Sequence, residues 1–101
     1  MSNTAALERR YLQAAERLAS RENVKFDGDA LDRLKPIIRN GALKLEIMGF
    51  AEDESRIDAA ESNLLALVRG LAKTAKGQSL YKISARMVES AVTKSSVWPF
   101  C

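Results

Sequence analysis

The chain has 101 residues, a net charge of +3 and an apolar fraction of 47%. That length makes one domain with a single core, and the balance is that of a folded soluble protein. It has no histidine and one cysteine, Cys101, which argues against zinc sites, Ser-His or Cys-His nucleophile pairs and internal disulfides, and makes a reducing, cytoplasmic setting the default. No apolar run approaches the roughly 18 residues of a membrane span, and the N-terminus lacks the basic-then-apolar order of a secretory signal.

A first helix is predicted from about Thr4 to Arg21, with Leu7, Tyr11, Ala14 and Leu18 at helical spacing and Ser2, Asn3 or Thr4 as cap. Val24-Lys25-Phe26 reads as a short extended connector. Asp27-Gly28-Asp29 then turns into a second helix with Leu31, Leu34 and Ile38 as its stripe. Pro36 would remove the bond to the Asp32 carbonyl, so this helix is either kinked there or starts near Leu34, and Asn40-Gly41 reads as its stop. Residues 42–48 alternate like a strand but are good helix formers. Helix ending at Gly49 is favoured, because a strand would find only Val24–Phe26 to pair with.

The strongest pattern runs from Ser55 to Gly77. Ser55 is a natural N-cap, and Ile57, Ala60, Leu64, Val68, Leu71 and Ala75 trace one face, broadened by Leu65, Leu67 and Ala72. Gly70 costs about 1 kcal/mol against alanine inside it, which points to close approach of another helix. A last helix begins after Ser84, with Ile83 and Val88 placed as a hydrophobic staple and Met87, Val88, Ala91 and Val92 as its stripe. No internal repeat is visible. The expected fold is therefore all-α: a compact bundle of four to five helices around a central helix at about 55–76, with residues 1–96 as the helical domain and 97–101 as an apolar tail.

Several motifs fall short of a chemistry. Ser79-Leu80-Tyr81-Lys82 fits Ser-x-x-Lys without its companion motifs. Gly70 to Thr74 ends in Lys-Thr without the glycine spacing of a phosphate loop. Asp27, Asp29 and Asp32 lack the glycine and further oxygen ligands of a calcium loop and serve instead as caps. No cofactor, metal or catalytic residue is expected, and the chain reads as a non-enzyme.

Charge is unevenly spread. Residues 46–61 carry a net −5 and residues 69–101 a net +5. Two binding readings follow. In the first, the chain is a small adaptor, inhibitor or regulator acting on another protein. Its contacts would be Trp98 and Phe100, which flank Pro99 in the tail, and the acidic run Glu52, Asp53 and Glu54. The same tail could equally fold back and cover one end of the bundle. In the second, the chain is a basic nucleic-acid-binding module, with Arg69, Lys73 and Lys76 on one helix face and Lys82 and Arg86 beyond it. Either reading leaves room for a homodimer. The stretch from Gly77 to Val92 resembles the final loop and helix of histone folds. The resemblance spans about 16 residues, and Gly49 to Ser55 interrupts where a histone's long central helix should run, so no residue role carries over.

Overall fold

The computed structural model describes residues 4–94 and 98–99. Four helices hold most of them: α1 Thr4–Arg21, α2 Gly28–Ile47, α3 Glu54–Gly77 and α4 Ala85–Lys94. Two short strands, β1 Lys25–Phe26 and β2 Lys82–Ile83, separate α1 from α2 and α3 from α4. The strands pair in parallel, Lys25 opposite Lys82 and Phe26 opposite Ile83. The Lys25 N–H donates to the Tyr81 carbonyl at 3.1 Å and the Asp27 N–H to the Ile83 carbonyl at 2.9 Å. The connector at Val24–Phe26 is thus extended, as expected, and finds a partner that the sequence pattern did not offer. The two halves of the chain share a helix–strand–helix order, a repeat of architecture without a matching repeat of residues.

The apolar stripes become the core. Every residue of the α3 stripe is buried, as are Leu7, Tyr11, Leu18, Leu34, Ile38 and Val88. α1 lies against both α2 and α3, and α2 against α4, whereas α3 and α4 touch only lightly. The Cα radius of gyration, 13.1 Å, is that of a compact chain of this length.

At two glycines the structure differs from the sequence reading. α2 does not stop at Asn40-Gly41; it passes through exposed Pro36 and through Gly41 to Ile47, absorbing residues 42–47 and leaving four helices. Gly41 is required inside the helix because an added Cβ would sit 1.8 Å from Trp98 Cζ3. The close approach inferred at Gly70 is absent: nothing lies within 4 Å of where its Cβ would be. The cap of α3 also moves. Asp53, not Ser55, is the N-cap, and its carboxylate accepts from the Ser55 and Arg56 N–H groups.

Three helices end in the same way. After α1 the Val24 N–H bonds to the Ala19 carbonyl and the Asn23 N–H to the Ser20 carbonyl. After α2 the pairs are Phe50 to Leu45 and Gly49 to Glu46. After α3 they are Leu80 to Ala75 and Ser79 to Lys76. Each is a Schellman motif, in which one residue turns left-handed and the next, an apolar one, closes back on the last turn. The left-handed residues are Asn23 (φ 61°), Gly49 (φ 80°) and Ser79 (φ 57°). α4 starts as its sequence predicts. The Met87 N–H donates to Ser84 Oγ at 3.3 Å, and Ile83 and Val88 are both fully buried.

Candidate functional site

Trp98 is where the structure bears most directly on the expected binding residues. It is buried, with its ring over Gly41 of α2, edge-on to Tyr11 of α1 at 5.8 Å between centroids, and its indole N–H donating to the Ala60 carbonyl of α3 at 2.9 Å. Asn63 Nδ2 donates to the Pro99 carbonyl at 3.3 Å. The chain therefore returns after α4 and inserts Trp98 among the first three helices. In this conformation most of the indole is withdrawn from any partner. Phe100, Val97 and Cys101 lie outside the described residues.

The acidic run is partly committed to structure. Asp53 caps α3, and hydrogen bonds from the Ser55 side chain and the Arg56 N–H hold its carboxyl below the usual carboxylate range. Glu54 faces Arg10 at 3.7 Å. Arg10 also reaches Asp58 and Glu61, each at 2.7 Å, and these carboxylates raise the guanidinium's pKa further. Glu52 stays exposed. Beneath this cluster Tyr11 donates its hydroxyl to the Ile57 carbonyl at 3.0 Å, and burial pushes its pKa up to about 12.

The basic residues are better gathered. Arg69, Lys73 and Lys76 share a shallow depression on α3 with Ala66, Gly70 and Glu22, and Lys76 is tied to Glu22 at 3.0 Å. Lys82 lies beside Lys25 on the exposed side of the strand pair. Among the described residues no ion pair involves Arg69, Lys73, Lys82 or Arg86.

A large concavity lies where α3 and α4 barely touch. It is a groove of about 1020 Å³ walled by Leu67, Gly70 and Leu71 of α3 and Met87, Ser90 and Ala91 of α4, with Trp98 and Leu80 also lining it. Arg86 lines it, and among the described residues no Asp or Glu does. Leu80 and its neighbour Tyr81 are 56% and 54% exposed. Tyr81 adopts φ 54°, a region that costs an L-residue roughly 1–2 kcal/mol. The Tyr81 carbonyl accepts the Lys25 N–H of the strand pair while its side chain stays about half exposed, and outliers of this kind collect at binding sites.

Sequence reasoning missed this groove. Its one available signal was Ala66, Gly70 and Thr74, three small residues four apart on α3, which leave a bare strip along a helix. Among the described residues no group of three or more His, Cys, Asp or Glu is placed to hold a metal ion, and no helix is long and apolar enough to cross a membrane. No family model, curated protein or solved structure matches the chain.

Proposed function

We propose that this chain is a small, non-enzymatic protein-binding module whose docking surface is the α3–α4 groove. The observation that carries the reading is the bare apolar channel itself, flanked by exposed Leu80 and by Tyr81 in a costly backbone conformation. Apolar surface of this kind gains free energy when covered, about 25 cal/mol per Å² removed from water. The same reading needs α3 packed on α1 through its seven buried residues and left open towards α4, rather than enclosed at the centre of the bundle. Trp98 becomes a structural wedge at one end of the groove rather than a free anchor, and the groove replaces the tail as the main contact.

Gly70→Leu tests this. The new side chain has open space around its Cβ and a better helix propensity by about 0.8 kcal/mol, so it fills the groove without unfolding the helix. N-terminally tagged wild type and variant are used for affinity purification from the native host, with and without nuclease. The expected result is a nuclease-resistant protein partner that the variant loses while keeping or raising its melting temperature. A partner retained by Gly70→Leu removes the groove from the reading. A nuclease-sensitive, nucleic-acid-rich yield that needs Arg69, Lys73 and Arg86 favours the nucleic-acid alternative.

A further inference from the structure

We infer that the occupant of the α3–α4 groove is an acidic amphipathic helix of a partner protein, an inference that rests on the docking role proposed above. The first argument is shape. The groove follows α3 from Asn63 to Gln78, about 22 Å at 1.5 Å per residue. That length seats about four helical turns, and the groove, of about 1020 Å³, is open on one side. The channel takes one face of a helix and leaves the other in water.

The second argument is the floor. Ala66, Gly70 and Thr74 form one row, and with no Cβ at Gly70 a second backbone can approach more closely than the usual 8–10 Å between helix axes. Leu67, Leu71 and Met87 stand beside that row. Apolar side chains spaced i, i+3, i+4, i+7 on the incoming helix meet them, and the flexible methionine adapts to their shape.

The third argument is charge. Arg86 lines the groove, Arg69 and Lys73 flank the same Gly70 on its other side, and among the described residues no acidic side chain lines the channel. These three cations take part in none of the ion pairs among the described residues. Glu or Asp residues bordering the apolar face of a ligand helix complete them, and repulsion disfavours a basic helix of the same apolar pattern.

The test uses two fluorescein-labelled, tryptophan-free 16-residue helical peptides with the same leucine stripe, one bordered by glutamates and one by lysines. Binding to the full chain is read by anisotropy and by the emission of Trp98, the sole tryptophan, which lines the groove. The expected result is at least tenfold tighter binding of the glutamate peptide at 50 mM salt. That preference shrinks at 500 mM salt, is abolished by Gly70→Leu, and reverses in R69E/K73E/R86E. Equal binding of both peptides overturns the acidic assignment and leaves the groove as an apolar docking site. Binding of neither peptide, with a host protein still lost on Gly70→Leu, overturns the helical ligand alone. Tighter binding of a single-stranded oligonucleotide through the same three cations overturns the inference in favour of nucleic acid.

Discussion

Gly41 and Gly70 exchange the roles that their residue type suggests. Gly41 looks like a helix stop and is a seat for Trp98; Gly70 looks like a contact and is bare. A Cβ at Gly41 displaces the indole, so Gly41→Ala should cost about 1–3 kcal/mol by overpacking, and Trp98→Ala about 3–5 kcal/mol. The double variant should cost less than the sum, because the clash vanishes with the ring. Chemical denaturation of all four proteins measures this, and strict additivity would show that the two residues do not meet. A glycine in a helix reports only that no side chain is wanted or that none matters. Choosing between these needs the neighbour, and Trp98 is too far along the chain for any local pattern to supply it.

Tyr11 gives a pH signature at the same scale. Its phenol ionises near the ordinary value of about 10 when unfolded but only at about 12 when folded, because burial disfavours the anion. Below about pH 10 both states are protonated and the contribution is intact. Between 10 and 12 only the unfolded chain loses the proton, so stability falls as pH rises through that window. Tyr11→Phe should flatten this part of the stability curve while lowering stability at neutral pH through loss of the bond to the Ile57 carbonyl. At the acid end the sign is opposite. The lowered Asp53 carboxyl contributes above its ordinary pKa and loses that contribution as pH falls through its folded value.

At the scale of elements, the helix ends carry the clearest prediction. Ser79 holds a left-handed conformation that glycine adopts freely, so Ser79→Gly should raise stability by about 0.5–1 kcal/mol, the relief of strain being partly offset by a freer unfolded chain. Tyr81→Gly should likewise raise the urea midpoint, yet weaken capture of the groove's partner if the tyrosine is kept for contact. A gain in stability with no loss of binding would make Tyr81 incidental. α1 and α3 were legible because their stripes run unbroken between clear ends. α2 was cut short because Pro36, Asn40 and Gly41 look like breakers when tertiary contacts are unseen. β2 was missed because two residues carry no period, and its pairing with β1 is set by where α1 and α3 place their ends.

Across the whole molecule, charge is sorted by use. The acidic start of α3 is engaged by Arg10, which ties α1 to α3 through Glu54, Asp58 and Glu61. Among the described residues the basic second half is tied down only at Lys76; Arg86 lines the open groove, and Arg69 and Lys73 line the depression that shares Gly70 with it. The opposed charge blocks were visible in the sequence. What was not visible was that one is largely engaged within the fold and the other faces outward, since that depends on which helix lies alongside. Trp98 has a further consequence. Its seat is built from Tyr11, Gly41 and Ala60, all made long before it during synthesis. A chain that ends before Trp98 keeps α1, α2 and α3 but leaves their shared seat unfilled, so a shortened form should lose about the 3–5 kcal/mol expected for Trp98→Ala.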